Sequence, residues 1–314
     1  MELGLALPQF DYSKPGGMPP WETTVRATEA AYRTGFDAVF LADHLFMSVE
    51  KYGAPAGRHR GVDPIIGLAA LATIDPNVRL GILVSCAPLR PIGWLAKNLA
   101  GLDVIAGGRL IAGLGAGWHR DEFVEAGVPF VPFDLRMQAL ESAVAEIKAI
   151  WAGDGPPLGS PPLRGAATPI WVGGKSPAAV SVAARVADGW NVAWQSTPDD
   201  YRAQLGVFEQ ACEAADRDPG AIFRSVGLFT LIGDNEKDLR SRFEAMAGSA
   251  PPGAVTDGLD QWREGRLVGT VAQVSEQLAV WADLGVSMFI ASPGALPFEA
   301  GEPDVLSLLA AAQD

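Results

Sequence analysis

The sequence predicts a single (β/α)8 TIM barrel, on three observations. Short apolar runs alternate with longer helical patterns through almost all of the 314 residues. Eight such strand and helix pairs can be counted, and strand-helix alternation on this scale means right-handed βαβ units in a parallel sheet. The length suits one closed α/β barrel, and no stretch reads as an interdomain linker, so residues 1–314 are expected to form one domain.

Taken in order, Leu3–Phe10 reads as the first strand and Trp21–Thr34 as its helix, stopped by Gly35. Phe36–Ala42 (FDAVFLA) is a continuous apolar run of the kind found in a parallel strand buried on both faces. Pro64–Ile74 is helical, Val78–Ser85 a strand, Ile92–Ile105 a helix, and Gly-Gly-Arg at 107–109 leads into the strand Leu110–Leu114. Leu135–Trp151 is an amphipathic helix, with Leu140, Val144, Ile147 and Trp151 on one face. Ile170–Val172, Trp190–Trp194, Ser225–Ile232 and Met288–Ala291 supply the remaining strands. Pro177–Ala187, Asp199–Ala215, Val271–Leu284 and Pro303–Ala312 are their helices. A Gly- and Pro-rich segment at about 246–268 is expected as an insertion between strand seven and its helix, on the face where barrel enzymes keep substrate loops.

Composition narrows the function. With 24 Lys plus Arg against 37 Asp plus Glu, the net charge is −13. That argues against nucleic acid and against anionic membranes as partners. No run reaches the length of a membrane span, and the N-terminus reads as a strand, so a cytoplasmic location is expected. Cys86 and Cys212 are expected as buried reduced thiols, and His44, His59 and His119 follow no metal-ligand spacing, so no metal is expected.

Barrel chemistry sits where strands end, so the residues just after each strand are the candidates. Strand two ends in Asp43-His44, an imidazole able to move a proton at neutral pH with a carboxylate beside it to orient or charge it. Strand four ends in Gly113-Leu114-Gly115-Ala116-Gly117-Trp118-His119. Its glycines either let the backbone approach a flat ligand or relieve crowding at the rim. It is not the dinucleotide fingerprint, because Trp118 stands where the third glycine belongs. Strand five ends in Gly173-Gly174-Lys175-Ser176-Pro177. A Walker A loop needs glycine at 169, where Pro169 stands, but free Gly-Gly N–H groups, a Ser N-cap, a Pro at the first helical position and a lysine make a phosphate cradle or an ordinary capped helix. Phe10, Trp118, Trp190 and Trp194 are rim aromatics, for stacking on a planar ring or for packing. The cluster Arg58-His59-Arg60, in the loop after strand two, stands out in so acidic a chain.

Together the strings ADH at 42–44, RPIGWLAKNLAGLDVIAGGRLIAGLGAGWHRDEFVEAGVPF at 90–130, PIWVGGKSPAAV at 169–180, ADGW at 187–190 and GTVAQVSEQLAVWADLGV at 269–286 resemble the bacterial luciferase-like family, and within it the deazaflavin-dependent oxidoreductase branch. The resemblance implies a barrel that binds coenzyme F420, or alternatively FMN, at its C-terminal rim. Gly173, Gly174, Lys175 and Ser176 would hold the cofactor phosphate, and Gly115, Ala116 and Gly117 would pass under the ring. The end of strand three, at Val84-Ser85, would bulge against the ring centre, with an unusual cis peptide. Asp43 and His44 match the family's catalytic strand-two pair; Trp118, His119, Glu122, Phe10 and Trp194 would border the substrate. Where Trp118 stands, better-understood members often carry an acidic residue, so their acid/base assignment does not transfer.

The expected activity is hydride transfer with a small alcohol, carbonyl or activated alkene, since a deazaflavin moves hydride pairs and handles oxygen poorly. An FMN-dependent monooxygenase using O2 is the alternative. A non-catalytic barrel subunit is disfavoured by the intact glycine loops. The deazaflavin's acidic tail needs positive charge, which Lys51, Arg58 and Arg60 are expected to supply. Family habit implies a homodimer.

Overall fold

A computed structural model of the chain describes residues 1–13, 21–302 and 304–313. Ten parallel-paired strands make one sheet: β1 (Glu2–Ala6), β2 (Ala38–Leu41), β3 (Arg79–Ile82), β4 (Ser85–Cys86), β5 (Leu110–Gly115), β6 (Ile170–Gly173), β7 (Gly189–Trp194), β8 (Phe223–Gly233), β9 (Leu267–Thr270) and β10 (Met288–Pro293). The order runs β10-β1-β2-β3-β5-β6-β7-β8, and β10 pairs back onto β8, with Met288 opposite Ser225. The barrel is therefore closed, and closure leaves no free sheet edge within it.

Eleven helices are described: α1 (Trp21–Arg33), α2 (Pro64–Leu71), α3 (Ile92–Ile105), α4 (Arg120–Glu125), α5 (Phe133–Ala152), α6 (Pro177–Val186), α7 (Pro198–Ala214), α8 (Glu236–Ser249), α9 (Leu259–Trp262), α10 (Val271–Asp283) and α11 (Val305–Gln313). Side chains alternate across each strand, so two cores form. Val39 and Leu41 of β2 face the helical layer together with Leu80, Leu110 and Val180. Phe40 faces the barrel interior with Ile111, Trp171 and Ile290. The Phe40 and Trp171 rings lie 6.0 Å apart there, filling the lumen. None of the described helices is long and apolar enough to cross a membrane.

Four departures from the sequence reading have physical causes. The first strand stops at Ala6 rather than Phe10, because Pro8 has no N–H to donate to a ladder. Strand three is not continuous to Ser85: it breaks at Leu83 and Val84, whose peptide bond is cis, and resumes as β4 opposite Leu114 and Gly115 of β5. Between β8 and α10, the glycines and prolines conceal regular structure: α8, capped by Asn235 on the N–H groups of Lys237 and Asp238, then α9 and β9. There β9 pairs with Thr230–Gly233, an extension of β8 past the C-terminal end of the barrel. The short α4 carries Glu122 and was hidden by its length of six residues.

Candidate active site

A cavity of about 210 Å³ opens at the C-terminal ends of the strands, where Asp43, His44, Lys51, Val84, Trp118 and Trp194 meet. His44 follows β2 and points into it, and its Nδ1 lies 2.8 Å from Oε2 of Glu122. The other oxygen of that carboxylate accepts the N–H of Leu45 at 2.6 Å. Glu122 is 4 % exposed, so its charge is held in place and meets little water. A carboxylate on Nδ1 fixes the imidazole's orientation and leaves Nε2 for exchange with a ligand.

The neighbouring carboxylate was expected to serve His44, and it does not. Successive residues of an extended segment point to opposite sides, so Asp43 turns toward the end of strand three. There it accepts Nε and Nη2 of Arg90 at 2.8 and 2.7 Å and the hydroxyl of Ser85 at 2.5 Å. Arg90 also reaches Asp63 at 2.8 Å, the residue that caps α2 through the N–H groups of Ile65 and Ile66. Forked arginine contacts of this kind fix geometry. Asp43 thus ties the end of β2 to the bulge and to α2. Ser85 is fully buried and belongs to the same network rather than to the cavity wall.

The cis peptide expected around Val84-Ser85 falls one bond earlier, at Leu83–Val84, and a second joins Ala193 to Trp194. Val84 lines the cavity, and the glycines around it explain its position. A Cβ on Gly115 would stand 2.6 Å from a Val84 methyl, and one on Gly173 would stand 2.8 Å from the other. The glycines of β5 and β6 therefore make room for this side chain, which is the crowding-relief reading of that motif. Gly117 adopts φ +73°, a left-handed conformation that favours glycine, and a Cβ there would strike Cys86 and Phe123. Gly115 and Gly117 line the cavity, while Ala116 faces the outer core.

After β6 the chain turns into α6, with Ser176 accepting the Ala179 N–H at 3.2 Å and Pro177 opening the helix. The Gly174 N–H, expected to be free, is donated to the Asn191 carbonyl at 3.0 Å, and the Trp190 indole N–H bonds the Gly174 carbonyl at 2.9 Å. Trp190 is thus no rim aromatic: it stacks on Tyr201 and Phe208 in the outer core and pins the loop from behind. What remains for an anion is the first turn of α6, whose N–H groups have no partner within the helix, and Lys175. Nζ of Lys175 donates to the Gln195 carbonyl at 2.8 Å, and burial lowers its proton affinity. Beside it a second cavity, about 550 Å³, is lined by Lys175, Pro177, Ser196, Asp200 and Gln204.

The rim cations divide. Arg58 is paired with Glu125 at 2.8 Å and Arg60 with Asp11 at 3.2 Å, so neither offers uncompensated charge, contrary to expectation. Lys51 makes no ion pair among the described residues; its Nζ lies 3.7 Å from the Trp118 ring centroid. Trp118 stacks on His119 at 5.0 Å, and Nδ1 of His119 lies 3.6 Å from the same Glu122 oxygen that His44 holds. Phe10 is fully buried behind His44, packed against that ring and Phe298, and is not part of the cavity lining. Sequence reading missed Arg90, Tyr52, Asn191 and Phe298, all but the first of which line the cavity. Arg90 carried a signal, as the first basic residue after strand three; Phe298, from the loop after β10, carried none.

The profile of the luciferase-like monooxygenase family matches residues 1–288. A phthiodiolone/phenolphthiodiolone dimycocerosates ketoreductase of Mycobacterium kansasii is 27% identical, over 85% of this chain and 89% of its own length. An FMNH2-dependent dimethylsulfone monooxygenase of Pseudomonas putida is 25% identical, over 84% and 81%. The solved coenzyme F420-dependent tetrahydromethanopterin reductase of Methanopyrus kandleri superposes with a TM-score of 0.75 at 17% identity, over 98% of this chain and 97% of that one, which shows the shared fold. With its closed barrel, the bulge at Val84 and a profile match over 288 residues, the chain belongs to the luciferase-like monooxygenase family, whose members are F420- or flavin-dependent oxidoreductases.

Proposed function

We propose that this protein is a coenzyme F420-dependent oxidoreductase that moves a hydride to or from a small alcohol, carbonyl or activated alkene. The observation that carries the reading is the His44–Glu122 pair on the cavity wall, a proton-handling group of the kind that hydride transfer at a carbonyl requires. The residues fit a flat phosphorylated cofactor. Val84 offers an apolar surface on the cavity wall that would take one side of a flat ring; Gly115 and Gly173 leave room for it, and any side chain on them would displace it. The first turn of α6 with Lys175 suits the phosphate. When bound, the deazaflavin would supply or take up the hydride.

The chain's own residues do the rest. Nε2 of His44 gives a proton to the substrate oxygen in the reducing direction and takes it in the oxidising one. Glu122 holds the ring and compensates its charge. Asp43, through Arg90 and Ser85, positions the two strand ends that carry His44 and Val84. Trp194, Phe298 and Trp118 exclude water from the pocket.

An FMN-dependent monooxygenase is the second reading, supported by the Pseudomonas putida relative and by the pairing of Arg58 and Arg60, which removes charge that an acidic cofactor tail would use. Replacing His44 by Gln separates function from fold: turnover should fall about 100- to 10,000-fold with cofactor affinity retained. Unchanged turnover would remove His44 from the chemistry.

A further inference from the structure

Resting on the reading above, the geometry points to a substrate that carries an anionic group, a carboxylate or phosphate, recognised by Lys51 at the cavity mouth. Lys51 belongs to the loop after β2, and its ammonium folds inward over Trp118 at 3.7 Å and toward Tyr52 at 5.0 Å. Both rings line the cavity with it. The side chain as a whole reaches solvent, yet its charged end lies among these rings, and this desolvation, with the Lys175 ammonium nearby, pulls its pKa down to about 8. A cation so placed gains from an anion beside it.

The surroundings make the absence of one informative. Around this mouth the guanidinium groups are matched to carboxylates: Arg58 to Glu125, Arg60 to Asp11, and Arg90 to Asp43 and Asp63. Glu122 is the acid that acts on Lys51 electrostatically, but its oxygens are engaged by His44 and the Leu45 N–H. In a chain of net charge −13, an ammonium on the cavity wall without a carboxylate among the described residues is an open position for a ligand's negative charge. Met47, Tyr52, Trp118, Trp194 and Phe298 give the rest of the pocket an apolar, partly aromatic lining. The substrate would then have a compact apolar body and one anionic end.

The same charge could meet an acidic tail of the cofactor, and the test separates the two sources. Protein loaded with cofactor is titrated with benzoate and with its neutral isostere benzamide, following heat or tryptophan fluorescence, in the native protein, Lys51→Met and Lys51→Arg. We expect benzoate to bind about 10-fold or more tightly than benzamide, with the preference lost in K51M, retained in K51R, and cofactor affinity the same in all three. A preference that is absent, or that survives K51M, overturns the proposal. A K51M protein that loses cofactor affinity instead assigns Lys51 to the cofactor and also overturns it. If no cofactor loads, the proposed function fails, and the same titration on the cofactor-free protein still tests Lys51.

Discussion

Two carboxylates 79 positions apart in sequence, Asp43 and Glu122, divide the work that a single strand-end pair was expected to do. The string Asp43-His44 located the histidine, but the alternation of an extended chain sends the two side chains apart, and the partner of His44 comes from the six-residue α4. Glu122→Gln should keep the Leu45 hydrogen bond while withdrawing the charge from His44. Steady-state kinetics should then show turnover lowered roughly 10- to 100-fold, less than removal of His44 itself. Lys51 gives the pH signature. It loses its proton as pH rises through about 8, so benzoate affinity should decline across that value and level off above it. The sign for stability is the reverse. The ordinary value is near 10.5, so between about 8 and 10.5 the unfolded chain holds the extra proton, and this residue favours folding increasingly as pH rises. Cys86 lies at the other extreme: burial pushes its thiol up to about 12, so it stays protonated at neutral pH. Alkylation by iodoacetamide of the native protein should be roughly 100-fold or more slower than after unfolding.

Among the elements, the glycine-rich strand ends were legible as special. The end of β5 could approach a ligand or relieve crowding, and the contact of Gly115 with Val84 shows that it does relieve crowding; the same service by Gly173 was not legible, because only the break between β3 and β4 makes it visible. Gly173→Ala would place a methyl 2.8 Å from a Val84 methyl. Overpacking of this kind costs about 1–3 kcal/mol, and because Val84 lines the cavity the loss should appear as cofactor affinity lowered about 10-fold in an equilibrium titration. Strands and long helices were legible because apolar periodicity marks them. The β8–α10 connection was not, since Gly and Pro dominate its middle and α8 is among the more polar helices. Its start depends on Asn235, which accepts two N–H groups. Asn235→Ala should lower stability by about 1 kcal/mol in urea denaturation with little effect on turnover.

For the molecule as a whole, the barrel follows from eight buried parallel strands, and its closure by β10 on β8 follows from their number. The charge of −13 is not spread evenly in effect: carboxylates neutralise the guanidinium groups around the mouth and leave Lys51 to face it, while Lys175 lines the neighbouring cavity. That local arrangement was beyond the reach of sequence, because pairing across 48 to 66 intervening positions depends on the folded loops. Ile66 on α2 and Trp94 on α3 are large apolar side chains left exposed; we propose a homodimer, which light scattering would show as twice the 33.0 kDa chain mass. The central claim concerns the cofactor. Purified protein titrated in parallel with coenzyme F420 and with FMN, followed by the absorption of each chromophore, should bind F420 tightly and FMN weakly, and the bound F420 should bleach when an oxidisable substrate is added. Tight FMN binding with no F420 binding would contradict the account.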